Sequence, residues 1–484
     1  MKMVKSLLLG SAAGVVAVAG AQAADLPVKA KPVQYVKICT LYGDGFYYIP
    51  GSDTCIRFQG YVRADYNWNG RTPHVQTGAN GAQDRTVQRS STRHRANLGV
   101  DTRTQTAYGT LRTYINFNID NELGADTAQA TRAFIQWGGF TFGRTASFVD
   151  HEGSLGDSGF RSLYTGLVDA TTGAAGINQI AYTWQLGNGF TLNVGADDGR
   201  FRSVANLQTT VTTAGIDPAS SAHGQSHPDP WVALRVSQAW GRASVAVLGH
   251  KNAATYYTGT AASCGGLAAN TGTTLCGYPD DKWGFAVVSG IEIKLDALSP
   301  GSRIGGYVTY GVGASRITRN SQTSPGLFGS GNQIAFGVLT DAVYFNGSAL
   351  ELTTTWAAGG GFEYFWTRNF SSTVYGGYTR TEYNSTVVNS RLFCTAGGFN
   401  VAAGIACDPS YSLWQIGTHH DWFPVAGLRL AVDVLYTGVE SAFAGQLVTL
   451  GKAAGARPTG VYTAKDLGIL SVAFRAQRSW GAGD

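Results

Sequence analysis

The chain has 484 residues, of which 44% are hydrophobic and only 14% charged, with 65 glycines, 12% aromatics and two methionines. Soluble domains carry charge on about a quarter of their residues, so this composition argues against an ordinary soluble enzyme and for a large β structure rich in turns and rings. A formal charge of +5 is too mild to argue for nucleic acid or for capture by anionic lipid.

Residues 1–23 read MKMVKSLLLGSAAGVVAVAGAQA. Lys2 and Lys5 precede an apolar run from Leu7 to Ala19, and Ala21-Gln22-Ala23 supplies a small-residue cleavage site, so a secretory signal peptide is expected. The run is shorter than the roughly 20 residues a spanning helix needs, and no longer uncharged apolar run follows it. Residues 24–54, punctuated by Pro and Gly, read as a short pre-barrel segment. Six cysteines form three local couples, Cys39/Cys55, Cys264/Cys276 and Cys394/Cys407. In an exported protein such couples are most simply three disulfides, with connectivity an inference. A metal reading is weak, because no couple has CxxC spacing and no histidines surround them; no cofactor is expected.

From Cys55 the chain alternates. CIRFQGYVRADYNW sets Ile56, Phe58, Val62, Ala64, Tyr66 and Trp68 against Arg57, Gln59, Arg63, Asp65 and Asn67. A period of two is that of a strand, and the i, i+3, i+4 spacing of a helix is absent. The pattern recurs at 94–104, 110–120, 131–137, 140–144, 178–186, 190–196, 231–240, 242–250 and 282–295, then at 303–315, 349–366, 370–384, 411–422, 427–439 and 466–480. That makes about 16 strands. Short connections near 105–108, 138–139, 187–189, 241, 296–302, 367–369 and 423–426 alternate with long ones near 69–91, 121–129, 146–177, 198–230, 251–281, 316–348, 385–410 and 440–465. This rhythm predicts an all-β fold, a transmembrane antiparallel up-and-down β-barrel over 55–480 with a short extension at 481–484. A Greek-key sandwich does not keep it.

Hydrocarbon offers no hydrogen-bond partner, so a spanning sheet must close, and at about sixteen strands the interior is wide enough to hold water. Tyr66, Trp68, Trp137, Trp422 and Trp480, near strand ends, suit an interfacial girdle facing outer-membrane lipid. Inward positions of the first five strands carry Arg57, Arg63, Arg93, Arg95, Arg103, Arg112 and Arg132, with Arg144 just before SFVDHEGSLGDSGF (147–160). That third long loop holds Asp150, Glu152 and Asp157, with His151 among them. Folded inward, its carboxylates would face an arginine wall across a narrow wet gap, and such rows of charge select ions. The competing reading is local pairing of these arginines with Asp65, Asp101 and Asp120.

An enzyme is disfavoured. Thr418-His419-His420-Asp421 places His419 and Asp421 on one strand face and His420 on the other, and neither GxSxG nor HExxH occurs. A barrel with a hydrolase or an adhesin/receptor role is the alternative, and a soluble secreted β-protein such as a lectin is a third.

On these residues the chain resembles the porins of alpha-proteobacteria, the general-diffusion porins of the bacterial outer membrane. The resemblance is densest in KSLLLGSAAG, AGAQAAD and YVKICTLYGDGFYYIPGSDTCIRFQGYVRADY, and returns at GGFTFGRTAS and AFRAQRSW. It implies a homotrimer of sixteen-stranded barrels, passive passage of small hydrophilic solutes and ions, and a third long loop folded into the lumen. Such barrels usually finish on an aromatic residue, whereas here Gly481-Ala482-Gly483-Asp484 follows Trp480.

Overall fold

The computed structural model describes residues 37–69, 90–122, 125–155, 163, 171–172, 176–199, 203–207, 221–224, 226–257, 276–318, 328–330, 332–394, 401, 407–450 and 460–481. The expected signal peptide, Asp157 and Cys264 lie outside these residues.

Strand β1 (Cys55–Trp68) turns its apolar set to the exterior. Phe58 and Val62 are 44% and 54% exposed, while Asp65 and Asn67 on the opposite face are 5% and 0% exposed. The same inversion holds around the wall. β2 (Ser90–Thr106), β3 (Gly109–Glu122), β4 (Ala125–Trp137) and β5 (Phe140–Thr145) follow, then β6 (Ile177–Gly187), β7 (Phe190–Asp197), β8 (Asp229–Gln238) and β9 (Gly241–Asn252). β10 (Lys282–Lys294), β11 (Arg303–Val312), β12 (Thr354–Thr367) and β13 (Phe370–Glu382) continue the wall, and β14 (Tyr411–Val425), β15 (Leu428–Glu440) and β16 (Leu467–Trp480) complete it. Each strand pairs antiparallel with the next, and β16 returns to β1 with Gly60 opposite Trp480 and Trp68 opposite Val472. Sixteen strands therefore close without an edge, as a sheet immersed in hydrocarbon requires.

Turn chemistry sets the register. The β6–β7 hairpin turns at Asn188 (φ 49°) and Gly189 (φ 77°), and β4–β5 turns at Gly138 (58°) and Gly139 (90°). Positive φ at both central residues matches the right-handed twist of the flanking strands, which is why Asn-Gly and Gly-Gly stand there. Tyr66, Trp68, Trp137, Trp422 and Trp480 all face outward and are exposed, joined by Tyr108, Trp184, Trp240, Trp283 and Trp366.

One expected loop is not a loop. The connection placed at 121–129 shrinks to residues 123–124, because β3 and β4 stay paired to Glu122 opposite Ala125. Asn121 donates Nδ2–H to Asp126 at 2.6 Å there. Polar residues mask a strand that has run past the apolar belt, where an oily face is no longer needed. The region 349–353 likewise differs: Glu351–Leu352 leaves the wall and pairs with Ala342–Val343.

Described parts of the later connections form small sheets at the end away from the short turns. Ala342–Tyr344 pairs parallel with Val204–Asn206, and Gln333–Ala335 joins Gly460–Ala464 and Leu447–Leu450 in a second small sheet. Phe336, Val387, Phe393, Tyr411, Phe443 and Tyr462 share a buried apolar cluster beneath them. The Cys394–Cys407 disulfide lies in this cluster, and Cys39–Cys55 closes the N-terminal hairpin. Cys276 is also disulfide-bonded.

Candidate functional site

Alternation brings the arginines of β1–β4 and β16 onto one inner arc. Asp101 of β2, fully buried, accepts Nη2–H bonds of 2.9 Å from both Arg103 and Arg112, with Arg57 3.8 Å away. Asp65 of β1 holds Arg93 at 3.0 Å and Arg475 at 2.6 Å. Asp120 of β3 accepts from Arg95 Nη2 at 2.9 Å. Arg63 instead donates Nε–H to Gln477 Oε1 at 2.9 Å and lies over the Tyr61 ring. Arg132 donates to the Thr131 carbonyl at 2.8 Å. Its neighbour Arg144 follows Gly143, whose φ of 112° breaks the pleat, and the charges of the two arginines interact.

Eight arginines (57, 63, 93, 95, 103, 112, 132 and 475) thus share this arc with three aspartates. The local pairs expected from the sequence do form, yet they leave the wall strongly positive. Between the ion clusters runs a band of amides. Asn97 donates Nδ2–H to Asn116 and Asn118, both at 2.6 Å, and Gln59 donates to the Tyr114 hydroxyl at 2.7 Å. The band borders a recess of about 360 Å³ that Arg132 also lines. Such a polar, roomy wall is one that water wets.

The third long loop does enter the barrel. Ser147 Oγ donates to Asp197 of β7 at 2.7 Å, and Asp150 accepts from Thr172 N at 2.8 Å. The ring of His151 stacks on Tyr307 of β11 at 4.2 Å. A Cβ on Gly153 would come within 2.1 Å of the Gly306 carbonyl oxygen, so only glycine lets the loop lie flat on the wall here. Leu155 is buried with Leu163, Tyr307, Tyr375 and Leu435, and Leu163 N–H reaches Asp433 of β15 at 2.6 Å. The described residues of the loop thus touch the inner face at β7, β9 and β11 and again at β15, the strand that pairs with β16 of the arginine arc.

Its acids divide. Asp150 interacts electrostatically with Arg132 of the arc. Glu152 faces the other way, paired with Arg235 of β8 at 2.6 Å and Arg242 of β9 at 3.2 Å. Arg242, Glu292, Arg303 and Glu363 extend that pairing along the wall, so this side is nearly balanced in charge. Arg235, Arg242 and Arg475 are inward arginines that the sequence reading left out. Strand parity would have found them had it been carried past the first five strands.

Replacing Glu152 with Gln leaves two guanidinium groups without their shared carboxylate, and the partners are partly solvated. We expect a loss of about 1–2 kcal/mol in the hold on the loop, read as greater open-channel noise at unchanged barrel migration on gels.

The His419 cluster is split between the two faces of β14. His419 and Asp421 face inward with Nε2 3.0 Å from Oδ1, and Arg429 Nη2 binds Asp421 at 3.1 Å. His420 points outward to Ser372 Oγ at 2.9 Å. No group of three metal-ligating side chains occurs among the described residues.

A family model described as the porin subfamily matches residues 25–469. The chain is 38% identical over 225 residues to porin Omp2b of Brucella suis biovar 1 and 38% identical over 211 residues to porin Omp2b of Brucella abortus strain 2308. These alignments cover 42% and 40% of this chain and 58% and 54% of those proteins, so the matched part spans little more than half the curated relatives. Among solved structures, the outer membrane channel DcaP of Acinetobacter baumannii superposes with a TM-score of 0.56 at 16% identity, covering 90% of this chain and 99% of that one. At that identity the likeness is one of fold.

Proposed function

We propose, for a chain that belongs to the porin subfamily and resides in the bacterial outer membrane, that it forms a water-filled channel for passive diffusion of small hydrophilic solutes and ions. Membership of that family implies a channel rather than an enzyme. The observation that carries the proposal is the inverted polarity of a closed wall: Phe58, Val62 and Phe117 exposed outside, arginines and asparagines lining the inside.

Selectivity rests on Arg57, Arg63, Arg93, Arg95, Arg112, Arg132 and Arg144 acting with Asp150 and Glu152 of the inward loop. Because the arc carries far more arginine than aspartate while the opposite wall is balanced, the constriction favours anions. Low-dielectric walls strengthen that field relative to open water, and guanidinium groups keep their charge at any working pH.

A homotrimer fits the outer face of β2 and β3. Thr92 and His94 stand exposed there, and Asn121 lies beside them at the long-loop end. Standing past the apolar belt, these polar groups give a second copy hydrogen-bond partners across an interface. Purified protein in planar bilayers should give stepwise conductance with a reversal potential on the anion side, and its liposomes should swell in small neutral sugars. A protein that inserts yet passes neither ions nor sugars would end the proposal.

A further inference from the structure

The N-terminal hairpin has no place in the channel as so far described. β16 pairing ends at Trp480 opposite Gly60, and Gly481 still lies against Phe58 and Gln59, so only the start of β1 needs another partner on that side. An uncovered strand edge is a liability. Tyr47 and Tyr48 supply it, pairing with Ile56 and Cys55, and the Cys39–Cys55 disulfide ties the preceding residues to the same point. Cys39 N–H bonds the Phe46 carbonyl at 2.9 Å, and Thr54 Oγ1 meets Thr104 Oγ1 of β2 at 2.9 Å.

This anchoring decides where the hairpin's rings go. Tyr47 faces outward against Phe58. Phe46 faces inward, 1% exposed, with the guanidinium carbons of Arg57 and Arg103 each 4.8 Å from its ring centre. Tyr42 lies 5.6 Å from Arg103. These two arginines, with Arg112, share the single carboxylate of Asp101. Three guanidinium groups on one carboxylate form a net positive cluster at the short-turn rim, which faces the periplasm in barrels of this kind. The hairpin lays an aromatic roof over two of them.

We infer that this disulfide-closed hairpin is a second selectivity filter, in series with the inward loop, whose Phe46 and Tyr42 rings cover Arg57 and Arg103 and thereby limit how anions leave or enter the periplasmic mouth. The inference rests on the channel reading above. It separates two roles for the arginine arc: Arg132 meets Asp150 of the loop, whereas the cluster around Asp101 meets the hairpin.

The test uses full-length protein in planar bilayers under a KCl gradient. Phe46→Ala uncovers the guanidinium faces and widens the mouth. Conductance should rise, and the anion-to-cation permeability ratio should rise about two- to fivefold, the worth of one cation–π contact. Phe46→Trp, which enlarges the roof, should shift both quantities the opposite way. Gel migration before and after heating confirms that each variant is folded. Unchanged conductance and permeability ratio in both folded variants overturn the inference while leaving the channel reading intact. A parent protein that carries no current overturns both.

Discussion

Replacing Arg57, Arg63 and Arg95 together with glutamine should move the reversal potential toward the cation side. In a tenfold salt gradient an ideally selective pore for monovalent ions gives about 59 mV, and we expect a shift on the order of 20 mV from three charges lost along the arc. The three do not contribute alike. Arg63 bonds Gln477, so Arg63→Gln removes charge without stripping a hydrogen-bonded carboxylate of its partner. Arg57 is the most distant of three arginines on Asp101, which keeps Arg103 and Arg112 after its loss. Arg95 is different. It and Asp120 are 6% and 5% exposed, so Arg95→Gln leaves a buried carboxylate without its cation, at a cost of about 3–5 kcal/mol. The single variants should therefore separate: Arg63→Gln shifts selectivity at parental heat resistance, whereas Arg95→Gln lowers the temperature at which the barrel unfolds on gels. A reversal potential indifferent to the triple substitution would remove the arginine arc from the selectivity mechanism.

Much of the wall was legible because period-two alternation is written by two solvents at once. Lipid demands Phe58, Val62, Ile115 and Phe117 on one side, and a wet interior admits Arg57, Arg63, Asn116 and Asn118 on the other. Gly138-Gly139 and Asn188-Gly189 were legible because their turns need positive φ. The signal fails where one solvent stops acting. Above the apolar belt β3 and β4 continue through Asn121 and Asp126, where an outer face no longer needs to be oily and alternation disappears. The long connections were unreadable for another reason. Their cluster of Phe336, Phe393, Tyr411 and Phe443 is assembled from segments distant in sequence, so no local period announces it. At the site, residue types were visible but partners were not: nothing in SFVDHEG says that Glu152 meets Arg235 and Arg242, because that pairing depends on how far the loop reaches. Gly153 carries that information only once Gly306 is known to lie beneath it. The hairpin's Phe46 is the same case, an ordinary aromatic until Tyr47 and Tyr48 are seen to pair with the start of β1.

A lysine scan across one pair of neighbours tests the polarity on which transport depends. Ile115 and Asn116 are adjacent on β3, near the middle of the strand, and face opposite ways. Ile115 is exposed on the outer surface, whereas Asn116 joins the inner amide band through Asn97 and Thr131. Ile115→Lys puts an ammonium group into hydrocarbon, and we expect a loss of about 2–4 kcal/mol of barrel stability. Asn116→Lys forfeits inner hydrogen bonds worth about 1 kcal/mol each, but its charge enters a wetted lumen. The stability loss should be smaller, and the reversal potential should move further toward anions. Urea unfolding in lipid vesicles, followed by tryptophan fluorescence, measures the first quantity, and bilayer recordings measure the second. The two substitutions differ by one position in the chain, so propensity and local sequence nearly cancel between them. What remains is the solvent on each side of the wall. Equal stability losses at Ile115 and Asn116 would mean that the two faces meet the same medium, and a pore through this barrel would then have no physical basis.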